Sequence, residues 1–132
     1  MISPAIHLPG TCNEAIRFYE KVFNATEIQI AYYHDAPLEE GYPVTEDTKN
    51  LVMHASLTIC GTQVNMSDSM DPIIAGNMIC LNVFINTVEE VCHSYELLKE
   101  GGKVIVELGP QFFSPMYGAI EDRYGVKWQL IA

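Results

Sequence analysis

The feature that most constrains this chain is a repeat at a fixed offset. Thr11-Cys12-Asn13-Glu14 and Thr87-Val88-Glu89-Glu90 are both capping-box sequences, in which a Thr hydroxyl accepts from the N3 amide and the Glu reaches back to the cap amide. Behind each, apolar residues return at helical spacing: Ala15, Ile16, Tyr19, Val22 and Phe23 in the first, Val91, Cys92, Tyr95 and Leu98 in the second. Asn24 and the Gly101-Gly102 pair mark the helix ends. A shift of 76 positions carries Thr11 onto Thr87, Glu14 onto Glu90, Tyr19 onto Tyr95 and Glu20 onto Glu96. Cap, core aromatic and surface acid coincide together, which points to an internal duplication.

Strand signals surround each helix in the same order. In the first half they are Ile2 to Leu8, Thr26 to Tyr33, Leu51 to Ile59 and Thr62 to Met66; in the second, Met78 to Ile85, Lys103 to Leu108, Met116 to Glu121 and Val126 to Ile131. Each half is therefore predicted to be β-α-β-β-β, and the fold class α+β. The last hairpins also match, because Gly61-Thr62-Gln63-Val64-Asn65-Met66 parallels Gly125-Val126-Lys127-Trp128-Gln129-Leu130 at an offset of 64. The two offsets differ by 12 positions, an insertion placed in the acidic connection from His34 to Asn50, with Pro37, Gly41 and Pro43. The expected organisation is a first module over 1–69, a linker over 70–76 and a second module over 77–132, together forming one structural domain.

Composition excludes several classes of partner. With 17 acidic and 7 basic side chains the formal charge is −10, and no basic run exists to displace counterions from a polyanion. Nucleic acid and anionic membrane surfaces are therefore not expected partners. The 48% hydrophobic content is enough for a packed core and argues against disorder. The Met1-to-His7 segment has no basic region and no long apolar run, so neither a signal peptide nor a membrane span is expected, and a cytoplasmic location is the default. Cys12, Cys60, Cys80 and Cys92 contain no CxxC pair and are expected as reduced, mostly buried thiols.

Three stretches carry a family resemblance: Asn13-Glu14-Ala15-Ile16-Arg17-Phe18-Tyr19 through Phe23, then Val52-Met53-His54-Ala55-Ser56-Leu57 with Ser67-Asp68, and Tyr117-Gly118 with Asp122-Arg123-Tyr124-Gly125-Val126-Lys127-Trp128. In this order, over nearly the whole chain, they resemble the vicinal oxygen chelate superfamily, which includes glyoxalase I, bleomycin-resistance proteins and extradiol dioxygenases. Within it, the chain resembles the PhnB-like branch, often labelled 3-demethylubiquinone methyltransferase-like. That resemblance implies the glyoxalase/bleomycin resistance fold: tandem βαβββ modules joined into a curved eight-stranded sheet, helices outside, a small-molecule cavity inside, and a homodimer.

Metal-dependent members of that superfamily hold a divalent ion with His and Glu side chains, so the resemblance also says where to look. The corresponding positions are Pro4, Asn65, Cys80 and Gln129. Proline has no side-chain donor, amides are weak ligands for transition metals and a lone thiol is insufficient, so no metal and no other cofactor is expected. Strand alternation puts Leu81, Val83 and Ile85 on one face and Cys80, Asn82 and Phe84 on the other. In the family register Cys80 and Gln129 point into the cavity.

The remaining candidates each have a plain structural alternative. His54, mid-strand, is the candidate catalytic acid or base, against a half-buried structural histidine. Cys80 carries a potential nucleophile with no base beside it in sequence, and a core-lining thiol is the plainer role. Asp68 or Glu121 could stand at a cavity rim. Phe112 and Phe113, between Pro110 and Pro115, could stack a flat ligand or fill a contact. The expected function is metal-free binding of a small apolar or aromatic molecule, with Asn65, Asn82 and Gln129 orienting it, Cys80 lining the site and Phe112 and Phe113 stacking. The alternative is a superfamily enzyme using His54. A methyltransferase is the weakest reading, since no glycine-rich strand-to-helix loop for S-adenosylmethionine is present.

Overall fold

The structure, a computed structural model, describes residues 1–37, 41 and 44–132. Leu38, Glu39, Glu40, Tyr42 and Pro43 of the inserted connection lie outside the described residues. The chain divides into two compact units, Met1–Ile73 and Ile74–Ala132. In the first, β1 (Ala5–Leu8), α1 (Cys12–Phe23), β2 (Thr26–Tyr32), β3 (Val52–Ile59) and β4 (Thr62–Asp68) form a four-stranded sheet in the order β1-β4-β3-β2 with one helix. In the second, β5 (Leu81–Phe84), α2 (Val88–Lys99), β6 (Lys103–Gln111), β7 (Ser114–Glu121) and β8 (Lys127–Ile131) repeat the pattern as β5-β8-β7-β6. The eight strands are thus two sheets of four, each with its first strand parallel to its last and the other pairs antiparallel. No helix among the described residues is long and apolar enough to cross a membrane.

Shifting the bounds of β1 and α1 by 76 gives those of β5 and α2. Each helix buries the stripe its periodicity predicts: Cys12, Ala15, Ile16, Tyr19, Val22 and Phe23 in α1, and Val91, Ser94, Tyr95 and Leu98 in α2. Beneath α1 lie Ala55, Leu57, Ile59, Val64 and Met66, and beneath α2 lie Val83, Ile120, Trp128 and Leu130, all buried. Close packing of α2 on β7 needs Gly118, where an added Cβ would sit 2.8 Å from the Tyr95 ring.

The helix starts differ from the sequence expectation. Thr87 accepts from the Glu90 amide at 3.1 Å, as a cap should. Thr11 makes no side-chain cap bond. Its place is taken from across the fold: the buried Asp68 carboxylate, at the end of β4, accepts from the Cys12 amide and from the Val52 amide, both at 2.9 Å. An anion beside the first-turn amides satisfies an orphan donor and complements the helix dipole. Asp68 consequently faces the helix side, which corrects its suggested place at a cavity rim.

Other boundaries move for physical reasons. β1 and β5 are only four residues long, because each pairs with one short stretch of its neighbour. β6 and β7 run on to a tight connection, so Phe112 and Phe113 form a hairpin tip rather than a loop. Asp122 organises the β7–β8 turn: one oxygen accepts from the Tyr124 and Val126 amides, the other from the indole Nε1 of buried Trp128 at 2.8 Å. None of the four cysteines is in a disulfide, but only Cys12 is buried: Cys80 and Cys92 are partly exposed and Cys60 is exposed at the β3–β4 turn, against the expectation of mostly buried cysteines.

Candidate functional site

Each sheet has a face turned away from its helix, and alternation assigns the side chains to it. In the first unit Val64, Met66, Ala55 and Leu57 pack under α1, so Asn65, Ser67, Ser56 and Thr58 stand on the open face. His7 lies opposite Ser67 in the β1–β4 register, and its Nδ1 is 2.8 Å from the Ser67 hydroxyl. Asn65 accepts from Gln63 at 3.1 Å and donates to the Ser3 hydroxyl at 3.2 Å. His54, opposite Ala31, is exposed on this same face just beyond an irregularity in the β2–β3 pairing. Its place differs from a half-buried structural histidine. The face is polar and carries imidazole, hydroxyl and amide groups.

Register also corrects which β1 residue accompanies Asn65. Ala5 lies opposite Asn65, while Pro4 supplies only a backbone carbonyl to the Asn65 amide at 2.9 Å. Alternation then puts Ser3 and Ala5, rather than Pro4, on the open side. In the second unit the partner of Gln129 is Asn82, and Cys80 shares its side by alternation.

That second open face is built differently. Trp128 and Leu130 are buried under α2, leaving Lys127, Gln129 and Ile131 on the other side of β8. Asn82 and Phe84 on β5 lie opposite Gln129 and Ile131, and Tyr117 on β7 also lies opposite Ile131. Phe113 meets Tyr117 edge-on at 5.1 Å between ring centroids, and Phe112 meets Phe113 edge-on at 5.3 Å. The tip is open to solvent: Phe112 is 101% exposed and Phe113 54%. Three rings therefore run from the hairpin onto the sheet, in the geometry aromatic pairs prefer.

Electrostatics on this face are local. Lys127 Nζ sits 3.2 Å from Glu121 Oε1 and donates to the Gly76 carbonyl at 2.6 Å. Burial pushes the Cys80 thiol pKa up, with the Leu81 amide and the Lys127 charge pulling the other way. Burial also raises the Tyr117 phenol, helped by the nearby Cys80. Both groups therefore stay protonated at neutral pH, which favours a lining role for Cys80 and a donor role for Tyr117.

The structure thus gathers Cys80, Asn82, Gln129, Phe113 and, through it, Phe112 on one unit. Asn65 and His54 belong to the open face of the other. Glu121 stands on the open face in its ion pair with Lys127. Sequence reasoning missed Tyr117 and the His7–Ser67 pair as site candidates. The period-two pattern was the available signal, since Tyr117 shares parity with Ala119 and Glu121, and His7 with Ala5.

The sequence matches the model of the 3-demethylubiquinone-9 3-methyltransferase family over residues 1–131. It is 24% identical to Protein YjdN of Escherichia coli (strain K12) over 136 residues, covering 98% of this chain and 92% of that protein. Among solved structures, the PhnB protein from Bacillus cereus superposes with a TM-score of 0.77 at 27% identity, covering 98% of this chain and 97% of that one. A variant of the fosfomycin resistance protein FosX from Listeria monocytogenes, complexed with manganese(II) and dihydroxypropylphosphonic acid, shares the fold with a TM-score of 0.68 at 16% identity, covering 100% and 90%.

The manganese in FosX invites a test of fit here. Among the described residues no three His, Cys, Asp or Glu side chains converge as they would around a metal ion. The positions that the resemblance points to, Pro4, Asn65, Cys80 and Gln129, offer two amides, one protonated thiol and, from Pro4, only a backbone carbonyl that already accepts from the Asn65 amide. That donor set does not fit manganese(II), which favours carboxylate and imidazole.

Proposed function

Since the chain belongs to the 3-demethylubiquinone-9 3-methyltransferase family, whose structural neighbours PhnB and FosX are vicinal oxygen chelate proteins, we propose that it binds a small apolar or aromatic molecule without a metal. The observation that carries this is the second unit's open face, where Phe112, Phe113, Tyr117 and Phe84 present rings beside the amides of Asn82 and Gln129. Rings supply dispersion and apolar contact to a flat molecule, and amides fix its orientation by hydrogen bonds. Cys80 is proposed to line the site. Transfer of a methyl group is not supported, because S-adenosylmethionine sites of doubly wound sheets use a strand–glycine loop–helix element and each unit here is βαβββ.

The test is thermal denaturation of the protein, purified in chelator, with acetylnaphthalene as probe. A ligand that binds only the folded state raises Tm, by about 2.7 kcal/mol of added stability at one hundred times Kd. Stabilisation that persists in chelator, with the probe recovered unchanged, supports the reading. Stabilisation only after a divalent metal is restored refutes it.

A second reading has one observation behind it: His54 is exposed on the first open face, the face that also carries His7 bonded to Ser67. It makes the chain an enzyme with His54 as acid or base, and requires turnover that His54→Ala abolishes. We also propose a cytoplasmic homodimer. The edge strands β2 and β6 are interrupted by bulges and carry Glu27, Lys103 and Glu107, whereas the edges β1 and β5 are regular and uncharged. Exposed Met78 and Ile79 precede β5, and exposed Phe84 ends it. Sedimentation equilibrium giving the monomer mass at micromolar concentration would overturn the dimer.

A further inference from the structure

The open face of the second sheet is graded along its strands. Strand register orders its residues in three successive rows. In the first, Lys103 lies opposite Glu121 and Glu121 opposite Lys127. In the second are Val106, Ala119, Gln129 and Asn82. In the third are Gly109, Tyr117, Ile131 and Phe84. Neighbouring rows on β8 are two residues apart, about 6.6 Å, so the charged and aromatic rows are separated by about 13 Å.

The sign of the polar end follows from the first row. Two lysines flank one carboxylate, leaving a surplus of one positive charge in a chain whose net charge is −10. Lys127 is held in place by Glu121 and the Gly76 carbonyl, and Lys103 is exposed beside them. We propose that this face takes an elongated aromatic carboxylate, with its ring over Tyr117 and Phe84 and its anionic end at Lys103 and Lys127. The proposal rests on the reading of this face as a binding site for an aromatic molecule, and adds the ligand's charge and direction. A carboxylate attached directly to the ring would end at the amide row, where Asn82 and Gln129 offer hydrogen bonds but no charge. Reaching the lysines therefore requires a spacer of about three or four bonds between ring and acid. The preference weakens with salt, because the lysines are partly or fully open to solvent.

Calorimetric titration with naphthylbutanoate and its uncharged analogue naphthylbutanol separates the possibilities. At low ionic strength the acid is expected to bind at least about threefold more tightly than the alcohol, the scale of one partly exposed ion pair. Lys103→Gln should erase most of that preference, and its exposed site makes misfolding no explanation. Glu121→Gln, which frees Lys127 from its ion pair and removes the row's one negative charge, should strengthen acid binding and leave the alcohol unchanged. Tyr117→Ala should weaken both. Equal binding of acid and alcohol, or an acid affinity indifferent to both Lys103→Gln and Glu121→Gln, overturns the proposal while aromatic binding stands. If neither probe binds, the aromatic reading falls with it.

Discussion

Replacing Asp68 tests whether one buried carboxylate ties the first unit together. Its two oxygens receive the Cys12 amide, at the first turn of α1, and the Val52 amide, at the start of β3, each at 2.9 Å. Asp68→Ala leaves both donors without partners in a site where the carboxylate was only 6% exposed. An unsatisfied buried amide costs about 1–3 kcal/mol, and losing the anion at a helix N-terminus adds about 0.5 kcal/mol. The expected destabilisation is therefore about 4 kcal/mol. With an unfolding entropy of about 2.1 cal/mol/K per residue over 132 residues, that is a fall in Tm of roughly 14 °C. Asp68→Asn retains one acceptor and turns the other into a donor facing an N–H, so it should cost about half as much. Urea denaturation measures the energy, and amide exchange at Cys12 and Val52 locates it. Asp71→Ala, at an exposed position, is the control and should change stability by less than about 0.5 kcal/mol. A loss below about 1 kcal/mol in Asp68→Ala, with unchanged exchange at the two amides, would refute the tie.

The two helix caps should behave differently under the same substitution: Thr87→Ala costs about 1 kcal/mol by urea denaturation, and Thr11→Ala markedly less, because only Thr87 bonds its N3 amide. Gly118→Ala should cost about 1–3 kcal/mol, since its Cβ would press on the buried Tyr95 ring, and pairing it with Tyr95→Leu should recover part of the loss. Burial, and then the Asp68 charge, push the Cys12 thiol from 9.0 up to about 12. The folded state therefore prefers the neutral thiol, so this contribution is complete below pH 9 and is lost as pH rises from 9 towards 12; a pH series of urea midpoints should show the fall, flattened in Cys12→Ala. Ellman's reagent at neutral pH should modify Cys60 rapidly and Cys12 only on unfolding.

Much of the architecture was legible because it rests on burial. The spacing of Ala15, Ile16, Tyr19 and Val22, and of Val91, Tyr95 and Leu98, is a requirement of any helix lying on a sheet, and it exposed the 76-residue repeat. Alternation in Val64-Asn65-Met66-Ser67 and in Trp128-Gln129-Leu130-Ile131 likewise separated core from open face. What stayed hidden depends on distant partners. A capping box at Thr11 is locally sound, and nothing near it says that Asp68, 56 positions away, takes the amide of Cys12. The Phe112–Phe113 tip was misplaced because Pro110 and Pro115 suggested a loop, yet both fall within strands, Pro110 on the edge strand β6 where a missing donor costs no ladder bond.

The site posed a harder problem, and β1 shows why. The offsets of 76 and 64 together would set Leu81 opposite Gln129, as Ala5 is opposite Asn65, but the observed partner of Gln129 is Asn82. One unit is therefore paired one residue out of step with the other at the strand that starts each repeat. A slip of one residue exchanges the two faces of a strand. Helix packing does not register the slip, because the helix-facing residues Leu8 and Val83 are apolar on either count. The open faces register it fully: Ser3, Ala5 and His7 stand on one, Cys80, Asn82 and Phe84 on the other. Superposing the halves by sequence therefore succeeds for the core and fails by one position at the edge of the open face. The same slip lets one face carry His7 bonded to Ser67 while its counterpart places Phe84 beside Ile131. The βαβββ repeat thus provides two similar scaffolds, and register together with side-chain choice makes one polar and the other graded from charge to aromatic ring.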